Sequence, residues 1–167
     1  ISFFILAFVK LSALSIRHRY QIVQVHNMPD FLVFTTLVPK ILGARVLLDM
    51  HDITPELFQS IYGISEQSFT FKLLVVFEQA SLAYADGVMT VNRNIRDLFL
   101  TRNPIAHKMV VVMNAPDPRY FRYTEHGAAQ PYCVKRQRPF RMFHHGQIIR
   151  RYNFETALEG FSIAIKQ

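Results

Sequence analysis

Val46-Leu47-Leu48-Asp49-Met50-His51-Asp52-Ile53-Thr54-Pro55-Glu56 is the stretch whose reading decides the fold. Its apolar start, Val46 to Leu48, gives way abruptly to polar and titratable residues. That is the profile of a buried parallel strand delivering side chains to the carboxyl edge of a sheet. Open α/β sheets bind ligands in the crevice outside that edge. Asp49, His51, Asp52 and Glu56 fall within eight residues and bring charge, a proton carrier and hydrogen-bond acceptors to one spot. The competing reading is a polar strand-to-helix loop whose Asp or Thr caps the next helix.

Working outward, apolar strand-like runs alternate with longer helical patterns. A helix over 1–18 precedes a strand over 21–26. A helix over 30–42 follows, stopped by Gly43, and then a strand over 45–50. After the polar loop comes a long helix over 65–84, with Ser65 as its N-cap and Glu66 in its first turn. A strand over 87–91, a short helix over 92–101 and a strand over 108–113 complete the series. This alternation predicts βαβ units in an α/β, Rossmann-like parallel sheet with helices on both faces.

Residues 1–117 thus form one domain. Residues 118–139, rich in proline and charge, read as a linker. A fresh strand over 140–144, Gly146 and a helix from 153 onward read as the first βα unit of a second Rossmann-like domain. Ile at position 1 and a helical pattern still running at Gln167 give the expectation of a fragment.

Composition bounds the partners. Half of the 167 residues are hydrophobic and 15 are Phe, enough for a real core. Cys133 stands alone, which excludes an internal disulfide and fits a reducing compartment. A net charge of +7 favours anionic partners: nucleotide phosphates, acidic lipid or nucleic acid. The dense basic run Lys135-Arg136-Gln137-Arg138 reads as solvated linker. The lack of Trp, of RNP-like aromatics and of a helix-turn-helix argues against nucleic acid. Residues 1–16 are apolar apart from Lys10 and three serines, too short and interrupted for a membrane span. They also lack the marks of a signal peptide. A buried crossover helix is the leading reading. A helix lying on a membrane through residues 1–19 is the alternative, because Arg17-His18-Arg19 follows.

The strand ends form a set. They carry His26, Asn27 and Asp30; then Asp49, His51 and Asp52; then Asn92; then Asn114. Parallel strands share one carboxyl edge, so these groups are expected to converge, as a site requires. The sequence favours no metal: H-x-x-x-H and H-E-x-x-H spacings are absent, and adjacent His144 and His145 point to opposite faces of a strand. The turn Gly146-Gln147-Ile148-Ile149-Arg150-Arg151 allows close backbone approach and offers guanidinium forks for phosphate. It is neither a dinucleotide fingerprint nor a P-loop.

The segments QIVQVHNMPD (21–30), RVLLDMHDITPE (45–56), DGVMTVN (86–92), KMVVVMNAPD (108–117) and FHHGQIIRR (143–151) together resemble the GT-B glycosyltransferases, in particular the retaining family 4 type. The resemblance implies transfer of a sugar from a nucleotide-diphosphate sugar to a saccharide or lipid-linked acceptor, without metal or other cofactor. It further implies a cytoplasmic location, with peripheral contact at the inner face of the membrane as an option. His51 matches the family's active-site histidine and Asp52 its neighbouring acid. His26, Asn27, Asp30, Asp49, Glu56, Asn92 and Asn114 are then expected on the substrate. Gly146 matches the glycine loop that opens the donor domain. Gln147 stands where the family carries an Arg, leaving Arg150 or Arg151 for the donor phosphates. The family's first glycine-rich strand and its C-terminal acidic pair lie outside the chain, so this piece alone is expected to be inactive. The alternative is a non-catalytic Rossmann-like module holding an anionic sugar, nucleotide or lipid headgroup.

Overall fold

The computed structural model describes residues 2–104, 106–121, 142–149 and 152–165. Its contacts divide the chain into two units, Ile1–Asn114 and Ala115–Gln167. The first unit is α/β and is built on four parallel strands in the order β1-β2-β3-β4. These are β1 (Ile22–His26), β2 (Arg45–Met50), β3 (Gly87–Thr90) and β4 (Met109–Val111). Each is reached from the one before through helical turns: α2 (Leu37–Ile41), then α3 (Thr54–Tyr62) and α4 (Phe69–Tyr84), then α5 (Arg93–Arg102). Helix α1 (Ser2–His18) precedes β1.

Register fixes which side chains share a face. Val25 pairs with Leu48, and Leu48 with Val88. Val88 in turn pairs with Met109. These residues, with Val33, Val46, Met50, Leu82, Ala85 and Phe99, form the buried core beneath the helices. Each fully buried Leu, Val or Phe contributes about 1.5–3 kcal/mol relative to exposure. By the two-residue period of a strand, Gln24, His26, Leu47 and Asp49 point to the opposite face. Asp86, just before β3, ties the sheet's amino edge: its Oδ2 accepts from the Val46 amide at 2.8 Å and its Oδ1 pairs with Lys40 at 3.0 Å.

Several local expectations change. Residues 30–42 are not one α-helix but a 3₁₀ segment, Asp30–Thr36, followed by α2. Pro39 has no amide to give residue 35, and its ring crowds that carbonyl, which opposes a continuous α-helix. Gly43 does stop the helix, at φ +97°. The N-cap of the long helix is Ser68, not Ser65: the Ser68 hydroxyl accepts from the Phe71 amide at 3.2 Å. Ser65 instead holds the turn ahead of it, accepting from the Gln67 amide. Between the polar loop and the long helix lies a further helix, α3, with Pro55 in its first turn and Gly63 at φ +64° as its C-cap.

Helix α1 is not a buried crossover helix. Only Ser15 is buried in it. It packs on the 3₁₀ segment and α2, with the Phe4 and Phe31 rings 5.9 Å apart, and leaves Phe3, Ile5, Leu6, Val9 and Ile16 exposed. Among the described residues, no helix is long and apolar enough to cross a membrane.

In the second unit, α6 (Phe154–Ala164) forms as predicted, with Asn153 before it. The expected strand at 140–144 does not form over its described part, residues 142–144. Met142 and Phe143 are exposed, and no other strand of this unit pairs with them among the described residues. An isolated strand has no ladder to satisfy its amides. The basic run at 135–141 and Cys133 lie outside the described residues.

Candidate functional site

Strand register builds the site. His26 is the register partner of Asp49, and His51 lies two residues beyond Asp49 on the same face. The three side chains therefore meet at the carboxyl end of β1 and β2. Asp49 takes both imidazoles: His26 Nδ1 is 3.2 Å from its Oδ2, and His51 Nε2 is 3.1 Å from its Oδ1. The two rings sit 5.8 Å apart between centroids. Gln24, one pleat back from His26, donates its Nε2 to Asp49 Oδ2 at 3.1 Å. The cluster is graded in exposure: the side chains of His26, His51 and Asp49 are 65 %, 39 % and 11 % accessible. The carboxylate forms the floor and the imidazoles the open wall.

Asn27 locks the two strand ends together. Its Oδ1 accepts from the His51 amide at 3.0 Å, and its Nδ2 donates to the Asp52 carbonyl at 2.7 Å. One side chain thus closes both flanks of the loop that carries His51 and Asp52. Asp52 itself is exposed at the rim. No side chain caps α3: its N-cap is Ile53, and the Thr54 hydroxyl instead donates to Asp30 Oδ1 at 2.8 Å.

Asp30 lies beneath the rim, not on it. It is buried, held by Thr54 and Asn27, and its Oδ2 has no partner among the described residues. Burial raises its carboxyl above the ordinary range, against the lowering pull of the Thr54 and Asn27 hydrogen bonds. Asp30 and Thr54 supply the polar wall of a cavity of about 300 Å³ otherwise lined by Met28, Pro29, Phe31, Phe58, Leu74 and Phe77.

The remaining predicted residues go elsewhere. Glu56 is engaged by Arg102, which also donates to both carboxyl oxygens of Glu78 at 3.1 Å. Glu78 is fully buried, and burial pushes its carboxyl up to about 7 despite the Arg102 charge beside it. Asn92 caps α5, its Oδ1 accepting from the Ile95 amide at 2.8 Å. Asn114 is exposed at the end of the first unit. In the second unit, Gly146 adopts φ +143°, beside His144, a backbone conformation that side chains rarely tolerate. Arg150 and Arg151 lie outside the described residues.

The site therefore gathers His26, Asn27, Asp49, His51 and Asp52, places Asp30 under them, and spends Glu56 and Asn92 on structure. Gln24 was missed, though its place two residues before His26 on a strand put it on the same face. Comparison with protein-family models, curated proteins and solved structures finds no match to this chain.

Proposed function

We propose that this chain comprises the acceptor-side part and the start of the donor-side part of a glycosyltransferase that moves a sugar from a nucleotide diphosphate to an acceptor hydroxyl, with retention of anomeric configuration. The observation that carries this reading is the meeting of His26, Asp49 and His51, framed by Asn27 and Asp52, on one open carboxyl edge. Such an edge is where an open α/β sheet takes its ligand. His51 Nε2 stands 3.1 Å from Asp49 Oδ1, which leaves Nδ1 as the ring's other hydrogen-bonding atom, available to a sugar hydroxyl. Asp52, exposed beside it, orients acceptor hydroxyls. As the glycosidic bond breaks, charge builds on the leaving diphosphate, and the basic balance of the chain favours that anion. On this reading Gly146, with Arg150 and Arg151, serves the donor phosphates.

Helix α1 supports a lipid-linked acceptor and a place on the cytoplasmic face of the membrane. Its exposed Phe3, Leu6, Val9 and Ile16 precede Arg17, His18 and Arg19, an apolar surface beside cations. Flotation with anionic and neutral liposomes tests this: binding that needs anionic lipid supports it, and no binding removes it.

The activity is tested in the whole protein that carries this chain, with labelled UDP- and GDP-sugars and a saccharide acceptor. Donor-dependent transfer that falls at least about a hundredfold in His51→Ala supports the reading. Transfer at the parental rate in that variant refutes the role of His51. Donor binding without turnover replaces the enzyme with a binding module.

A further inference from the structure

The pairing of β1 with β2 does more than place hydrogen-bonding groups. It brings one ring nitrogen of His26, one of His51 and an oxygen of Asp49 all within 4.8 Å of one another. We propose that these three side chains form a binding site for a borderline divalent transition-metal cation, of which Zn²⁺ is the best fit. The inference goes beyond sugar transfer and stands without it.

Three features support it. The first is distance. Two ligands held about 2.1 Å from a zinc ion lie roughly 3.0–3.4 Å apart across right or tetrahedral angles. The nitrogen-to-oxygen separations here are 3.1 and 3.2 Å. Each imidazole thus already stands at a ligand-to-ligand distance from the Asp49 carboxylate, His26 Nδ1 from Oδ2 and His51 Nε2 from Oδ1. The second is ligand chemistry. Two imidazoles and one carboxylate suit Zn²⁺ and its neighbours, whereas Mg²⁺ and Ca²⁺ take oxygen sets and soft ions take thiolate. Three protein ligands with an exposed outer side leave a further position for water or substrate, the pattern of exchangeable rather than structural zinc.

The third is support around the ligands. His26 and Asp49 stand on adjacent strands in fixed register, and the loop at His51 is pinned by Asn27 through the His51 amide. Gln24 holds the carboxylate by its Oδ2. Partners of this kind orient metal ligands and sharpen affinity. The spacing rules missed the site because its ligands come from two strand ends, with His26 and Asp49 23 positions apart in sequence.

With the cation on His26 Nδ1 and His51 Nε2, the remaining ring proton of each histidine resides on the other nitrogen, Nε2 of His26 and Nδ1 of His51.

Equilibrium dialysis of the tag-free chain against Zn²⁺ tests the proposal, with long-range nitrogen–proton NMR of the histidine rings as a second readout. One zinc per chain is expected, with affinity falling at least about tenfold in His26→Gln, His51→Gln and Asp49→Asn. His26 is exposed, so His26→Gln is expected to keep the fold, which circular dichroism verifies. A double variant, His144→Ala with His145→Ala, is expected to bind as the parent does. The NMR spectrum of the zinc form should show His26 protonated at Nε2 and His51 at Nδ1. Undiminished uptake in His26→Gln and His51→Gln overturns the site. So does loss of uptake in the His144/His145 variant alone, or no uptake by the folded parent chain. No sugar donor is present, so failure here is distinct from failure of the transferase reading.

Discussion

Replacing Glu78 by Gln is predicted to flatten the pH dependence of stability. Glu78 is fully buried in α4, and its carboxyl stands at about 7 against an ordinary value of 4.5. Burial is the main cause; Arg102 opposes it, and the charges of Glu56 and Asp30 add to it. The sign follows from linkage. A carboxyl whose pKa is higher in the folded state binds its proton more tightly there, so its contribution is complete below pH 4.5 and is lost as pH rises through about 7. At about 1.4 kcal/mol per pH unit, that loss is on the order of 3 kcal/mol. For a unit of this size it moves the melting temperature by on the order of 10 °C. Gln mimics the protonated acid and keeps a carbonyl for Arg102, which retains Glu56 as its charge partner. Urea unfolding of parent and variant at intervals from pH 4.5 to 8.5 is the assay. The two curves should coincide at the acid end, and the variant should be the more stable at the alkaline end. Contributions common to both proteins cancel in the difference. Parallel curves across the range would refute the reasoning.

Asn27→Ala removes the partner of the His51 amide and of the Asp52 carbonyl; it should cost about 1–3 kcal/mol and speed hydrogen exchange at the His51 amide, read by NMR. Ser68→Ala should cost about 1 kcal/mol by loss of the α4 cap, and Ser65→Ala less, in urea unfolding; the reverse order would restore Ser65 as the cap. Leu48→Ala, at the centre of the core, should cost about 2–5 kcal/mol, with a denaturation midpoint lowered at unchanged slope.

The alternation of apolar runs was enough to read the strands and their parallel arrangement, because a buried parallel strand is nearly continuous in Val, Leu and Ile. The glycine stop at Gly43 was equally legible, since a positive φ is a local demand. What failed needed information from elsewhere in the chain. Ser65 and Ser68 are equivalent as local caps, and only the packing of α4 chooses between them. Helix α3 announced itself through Pro55 and Gly63, but the polar run before it drew the reading toward a loop. Glu56 looked like a rim residue until Arg102, 46 positions later, took it. Asp30 kept its neighbours Asn27 and Thr54 yet went under the surface, because the 3₁₀ turn that starts there folds back on β1 and β2. Of the site, the two histidines and three of the acids were visible as strand-end residues. Their mutual distances were not, because these depend on register.

That register has a practical reach. A slip of one residue between β1 and β2 would put His26 across from Leu48 or Met50 and turn it away from Asp49 altogether. The trio can assemble only in correctly aligned molecules. If it captures zinc as proposed, the fraction of a preparation that takes up the ion is a direct census of properly threaded sheets, obtainable without spectroscopy and before any substrate is known.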